Sequence, residues 1–172
     1  MKKALCLLAA LVLLAALPAF AAAPETDSPA VCLIEVSTGE LLYGKQENDP
    51  RPPASTTKMM TALLTLKAIE RGELSLEQEI SVTQAAFADL WEDASTAGLK
   101  EGDRVTVEGL LAGVLLPSGG DAANALAIAL AGSIADFAVE MNAEAARLGC
   151  ENTHFVNAHG LPAEGHVSSA YD

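Results

Sequence analysis

The apolar positions along the chain fall into segments of different period, and each period predicts a different element. Residues 4–17 are an unbroken apolar stretch behind Lys2 and Lys3 and in front of Pro18 and Ala19-Phe20-Ala21. Residues 30–36 are rich in β-formers, Ser37-Thr38-Gly39-Glu40 is a polar turn, and residues 41–43 are apolar again, which predicts an opening hairpin. Asn48-Asp49-Pro50-Arg51-Pro52-Pro53 reads as a stiff extended connector, because each proline fixes its own φ and keeps the residue before it out of the helical region.

Helical spacing begins just beyond that connector. Between Ser55 and Arg71, Met59, Ala62, Leu63, Leu66 and Ile69 form one apolar stripe, Met60, Leu64 and Ala68 widen it, and Gly72 supplies a stop. A helix apolar on most of its sides is expected to be internal. Residues 73–104 are mixed and polar and predict a loop-rich stretch of short strands and turns around Gly98 and Gly102. Thr106 is placed to cap a helix over residues 107–116, and residues 117–120 form a turn. Asp121 is placed to cap a second helix ending near Gly132, and Ser133 with Asp136 to start a third that Gly149 closes. Residues 153–156 read as a brief strand before a loop of His, Gly and Pro.

Composition fits this helix-rich reading. With 51% hydrophobic and 19% charged residues in 172, the chain is too apolar for a disordered tail and long enough for one core. Four Phe, two Tyr and one Trp leave Ala, Leu and Val to fill that core, which suits helix packing. The 23 acidic against 10 basic residues give a net charge of −13, which opposes binding to a nucleic-acid backbone. The Lys pair, the apolar stretch and the small-residue triplet together predict a secretory signal peptide over residues 1–21, cleaved after Ala21. Cys6 leaves with it. Cys32 and Cys150 remain, and two cysteines, one of them in an apolar run, read as free thiols rather than a disulfide framework. No Cys or His cluster has metal-site spacing, so a structural metal is not indicated.

The chemistry gathers around Ser55-Thr56-Thr57-Lys58, where a hydroxyl and an amine three residues apart share one face at a helix start. A desolvated lysine can take the proton of a serine hydroxyl, and free N–H groups at a helix N-terminus favour a developing oxyanion. The same four residues also fit a plain helix cap beside a solvated lysine.

Context decides between these. Pro53-Ala54-Ser55-Thr56-Thr57-Lys58-Met59-Met60-Thr61 resembles the active-site segment of the serine-type D-alanyl-D-alanine carboxypeptidases, the low-molecular-weight penicillin-binding proteins. A second element follows as Pro117-Ser118-Gly119-Gly120-Asp121-Ala122-Ala123. A third resembling stretch runs through Asn152-Thr153-His154-Phe155-Val156-Asn157, His159-Gly160-Leu161-Pro162, Gly165 and Ser168-Ser169-Ala170. The resemblance implies an α/β fold of the penicillin-binding-protein and β-lactamase type, with Ser55 as acylated nucleophile, Lys58 as general base and Ser118 as proton relay to the leaving D-alanine. It also implies an exported enzyme of the cell wall that acts on peptidoglycan stem peptides ending in D-Ala-D-Ala, uses neither metal nor organic cofactor and is inhibited by β-lactams.

Two departures from the family pattern stand out. Gly120 occupies the position where the family usually has an Asn that orients the lysine and the substrate, and Asn124, a turn further on, reads as an ordinary polar helix residue. No Lys-Thr-Gly follows Ser118; Ser37-Thr38-Gly39 precedes the nucleophile, in the hairpin turn. Residues 22–172 are therefore expected to be the front part of a catalytic domain whose later sheet strands, and any membrane-attaching tail, lie beyond Asp172. A β-lactamase, a peptidoglycan endopeptidase with the same machinery and a non-catalytic wall-binding protein are the alternative readings. His154, His159 and His166 are expected to shape loops, since none shows a base-and-orienter spacing. Trp91 and Phe87 are expected in a satellite core or a cleft wall.

Overall fold

The computed structural model describes residues 23–172; the expected signal peptide over residues 1–21 lies outside the described residues. Strand β1 (Val31–Ile34) pairs antiparallel with β2 (Leu41–Lys45), with Val31 opposite Lys45 and a register irregularity between Leu33 and Ile34. The hairpin turn is held by the Glu35 carboxylate, which accepts from Ser37 Oγ and Thr38 N, and Gly39 takes the positive φ the turn requires. Those donors hold the Glu35 carboxyl at about 2, well below its usual value. β1 is shorter than the apolar run that predicted it.

A single 3-10 turn (Ala54–Thr56) leads from the proline-rich connector into helix α1 (Thr57–Glu70). The loop-rich middle contains a small second sheet of β3 (Glu79–Ser81) and β4 (Arg104–Thr106) and, between them, a 3-10 turn at Gln84–Phe87. Helices α2 (Val107–Leu115), α3 (Gly120–Ala131) and α4 (Ile134–Leu148) complete the described chain. The caps that local sequence predicts form at two of the three: Thr106 Oγ1 accepts from Gly109 N, and Ser133 Oγ from Asp136 N.

The core is built around α3, which packs on α1, α2, α4 and the Gln84–Phe87 turn. Residues 120–127 of α3 are all buried, and five of these eight are Gly or Ala, so the neighbouring helices approach its backbone closely. Leu110, Val107 and Val114 from α2, Leu126 from α3, Phe137 and Met141 from α4 and Val82 fill the space with 2% exposure or less. Complete burial of side chains this size is worth about 1.5–3 kcal/mol each. Phe87 packs against this core while Trp91 is half exposed. Glu144 on α4 ties α4 to α1 through Lys67, at 2.8 Å, and accepts from Arg147 on its own helix; Arg147 first and then Lys67 hold its carboxyl at about 2.

Three expectations need correction. The buried face of α1 is not the Met59–Leu66 stripe: Met59 and Leu66 are exposed, while Lys58, Thr61, Thr65 and Ala68 are buried beside Met60, Ala62 and Leu64. The threonines can be internal because each hydroxyl donates to a carbonyl, Thr61 to Ala158 and Thr65 to Thr61. Asp121 does not cap α3, whose N-cap is Gly119. It lies within the first turn, and its carboxylate accepts instead from Ala97 N and Leu99 N of the long loop. Residues 153–156 form no strand, only an isolated bridge between His154 and Val167, because their remaining backbone groups turn to side chains such as Asn142 and His166. Cys32 and Cys150 are free thiols, as expected.

Candidate active site

Four segments distant in sequence meet in a cleft of 160 Å³ lined by Ser55, Lys58, Leu90, Ser95, Ser118, Gly120, His159 and Gly160 among others. Ser55 enters on the 3-10 turn and Lys58 one helical step later, so the three-residue spacing brings their side chains side by side. Lys58 Nζ donates to Ser55 Oγ at 3.2 Å, and Ser118 Oγ donates to the same oxygen at 2.9 Å. The second donation of Lys58 goes to the backbone carbonyl of His159 at 2.6 Å. Lys58 is only 6% exposed, and burial lowers its pKa, since desolvation disfavours the ammonium form. A lysine that gives up its proton more readily than usual thus sits against a serine hydroxyl.

Ser118 reaches Ser55 because the turn between α2 and α3 is tightly wound. Ser118 has φ +61°, Gly119 N donates to Gly113 O, and Gly120 N donates to Ser95 O. A Cβ at Gly119 would lie 2.7 Å from Ala97 N and 2.8 Å from Gly113 O, both backbone atoms, which accounts for glycine there. Of the four described non-glycine residues with positive φ, Ala54 and Ser118 line the cleft and Asp89 adjoins it. Such conformations cost of order 1–3 kcal/mol each and persist where surrounding contacts impose them.

The fourth side of the cleft is the loop over residues 157–161. Asn157 Oδ1 accepts from His159 N and Gly160 N, and its Nδ2 donates to Leu161 O. Gly160, at φ +90°, packs so closely on the nucleophile's segment that a Cβ would fall 1.9 Å from the Ala54 carbonyl oxygen.

Two side chains that local sequence gave no reason to single out organise the cleft. Asn124 is fully buried rather than an ordinary polar helix residue, and its amide donates to Ala86 O and to Asp89 Oδ1. Asp89 Oδ2 in turn lies 3.2 Å from Nε2 of the buried His159, without full hydrogen-bond alignment. An orienting carboxylate for one histidine therefore exists, contrary to expectation; the two residues are seventy positions apart, and only the fold joins them. At Gly120 the missing side chain is matched by Leu90, whose Cδ2 lies 2.8 Å from where a Cβ would be.

The family model described as D-alanyl-D-alanine carboxypeptidase matches residues 18–172. The chain belongs to the D-alanyl-D-alanine carboxypeptidase family. The D-alanyl-D-alanine carboxypeptidase DacF of Bacillus subtilis is 38% identical over 146 residues, covering 85% of this chain and 37% of that protein. Escherichia coli DacD, another carboxypeptidase of that name, is 38% identical over 152 residues, covering 87% and 39%. Among solved structures, penicillin binding protein 6B from Escherichia coli superposes with a TM-score of 0.83 at 37% identity over 90% of this chain and 50% of that one. The DacD carboxypeptidase from Francisella tularensis superposes with a TM-score of 0.82 at 34% identity, over 87% and 36%. The fold is thus the α/β fold of the penicillin-binding D,D-peptidases, and the chain spans 37% of the length of DacF and 39% of that of DacD.

Proposed function

We propose that the protein is a serine-type D-alanyl-D-alanine carboxypeptidase with Ser55 as nucleophile, Lys58 as general base and Ser118 as proton relay. One observation carries the reading: Ser55 Oγ stands between a desolvated lysine amine at 3.2 Å and a second hydroxyl at 2.9 Å. Ser55 Oγ attacks the carbonyl carbon of the penultimate D-alanine of a peptidoglycan stem peptide while its proton passes to Lys58 Nζ. The new C–O bond forms, the peptide C–N bond breaks, and the proton reaches the departing amine through Ser118, releasing D-alanine. Water then cleaves the acyl-serine ester, returning the hydroxyl to Ser55. A β-lactam carbonyl would be attacked in the same way; its ring C–N bond opens but the amine stays tethered, so the adduct persists.

Family membership and the resemblance of the three motifs support the substrate class, and the amino-terminal pattern of residues 1–21 supports export to the outer face of the cytoplasmic membrane. In this reading residues 22–172 are the front part of a catalytic domain, in keeping with the 37% and 39% of DacF and DacD that the chain spans. Intact-mass analysis of the full-length product after incubation with a β-lactam is expected to show one adduct, lost in Ser55→Ala. An adduct that forms at an unchanged rate in Ser55→Ala would overturn the assignment.

A further inference from the structure

Apart from the Ser55 hydroxyl, what seats Lys58 is a backbone carbonyl. Its Nζ donates at 2.6 Å to His159 O, and Gly120 offers the cleft no side chain that could share this task. The orientation of the His159 peptide therefore bears directly on where the lysine amine stands relative to Ser55.

What holds His159 can be followed atom by atom. Leu161 N donates to its Nδ1 at 3.1 Å, so Nδ1 is unprotonated and the ring proton sits on Nε2. Nε2 is buried without an aligned hydrogen-bond partner, and among the described residues the group facing it is the Asp89 carboxylate, whose Oδ2 lies 3.2 Å away. The other oxygen of that carboxylate accepts from Asn124 Nδ2 at 3.1 Å, and Asn124 is anchored in α3 by full burial. Asp89 itself is held at φ +63°, a conformation that a non-glycine residue adopts only where its surroundings enforce it. A strained residue whose carboxylate bridges a helix to the ring of the lysine's carbonyl partner is poorly explained as loop surface.

We propose that Asp89 is a positioning residue for acylation: its carboxylate, set against Nε2 of His159, holds the imidazole in place and with it the peptide carbonyl on which Lys58 is seated. The inference rests on the acyl-serine reading above. It makes an unusual demand on substitution. In Asp89→Asn the side chain has the same shape, but whichever way its amide turns, an NH₂ group faces either the Nε2 proton or the Asn124 amide, and the ring is pressed toward the other tautomer, where Leu161 N already donates. In Asp89→Gly the carboxylate is lost while the positive φ becomes free of strain, so the loop keeps its path.

The test uses the full-length product. Its His159 tautomer is read from ring ¹⁵N shifts after selective histidine labelling, and its reaction with a chromogenic cephalosporin is resolved into the dissociation constant of the initial complex and the rate constant of acylation. Both variants are expected to acylate roughly 10- to 100-fold more slowly, the loss expected from a small misplacement of the reacting groups, with the dissociation constant within about twofold of wild type, and Asp89→Asn also to lose the uniform Nε2-protonated signature. Acylation at the wild-type rate in both variants, or an untouched His159 tautomer in Asp89→Asn, would overturn the inference. A wild-type protein that forms no acyl adduct overturns the acyl-serine reading itself, an outcome visible before any variant is compared.

Discussion

At the scale of single residues the site depends on close approach as much as on reactive groups. Gly160 shows this most sharply, because the carbonyl of Ala54 occupies the place of its missing Cβ and its φ is one that side chains disfavour. Gly160→Ala is expected to push the Ala54–Thr56 turn away from the loop over 157–161, lowering stability by about 2 kcal/mol or more and slowing β-lactam acylation together with it. Thermal melting and the acylation rate check this, and an alanine variant that melts and acylates like wild type would refute the close packing. The residues that sequence reading could single out are those whose partners are local: Ser55 and Lys58 lie on one face because three residues span about one helical turn. Ser118 was legible only through its motif. Asp89, Asn124 and His159 were not, since their contacts join three separate stretches of chain and leave no periodic trace in any one of them.

At the scale of elements, helix α1 is the piece whose sequence misleads. Its apolar residues run nearly all round, so the stripe alone does not choose a face, and the burial of Lys58, Thr61 and Thr65 follows from carbonyl acceptors at His159, at Ala158 and in the preceding turn of α1 itself. Helix ends were far more legible than helix faces, because Thr106 and Ser133 meet their partners within three residues. The first turn of α1 is also bonded to the chain's last loop: Thr57 Oγ1 and His166 Nε2 are 2.9 Å apart, while Val156 N donates to His166 Nδ1. Burial first, then the neighbouring His159 and His154, pushes the His166 pKa down to about 4, because a proton on Nδ1 would be both desolvated and opposed to the Val156 N–H. The folded pKa is below that of the unfolded chain, so this contribution is complete above about pH 6.5 and is lost as the pH falls toward 4. It amounts to roughly 3 kcal/mol at most. His166→Gln is therefore expected to be less stable than wild type at neutral pH, with the gap in melting temperature narrowing between pH 6.5 and 4. A gap of constant size across that window would show that the neutral ring is not what joins the two elements.

At the scale of the whole molecule, the described residues leave large apolar side chains uncovered on more than one element. Met59 and Leu66 of α1 are exposed, Leu33, Ile34, Leu41 and Leu42 of the β1–β2 hairpin are exposed, and a groove of about 530 Å³ runs between Met59, Leu63, Leu148 and Tyr171. Two-stranded sheets are marginal in water unless something packs on them, and β1 and β2 each keep an unpaired edge among the described residues. DacF and DacD are each more than twice as long as the stretch that aligns with this chain. In the proposed reading, the missing cleft wall is also where a transition-state oxyanion and the substrate carboxylate would find their remaining donors. Ser55, Lys58 and Ser118 alone would then activate a nucleophile without stabilising the charge it creates, and losing one oxyanion donor costs about 10²- to 10³-fold in acyl transfer. The 172-residue chain by itself is accordingly expected to associate through its apolar face and to release D-alanine from a diacetylated Lys-D-Ala-D-Ala tripeptide at least about 10²-fold more slowly than the full-length relative DacF. Comparable turnover by the two, with the shorter chain monomeric in sedimentation, would show that the cleft between Ser55, Ser118 and His159 already holds every donor the reaction needs.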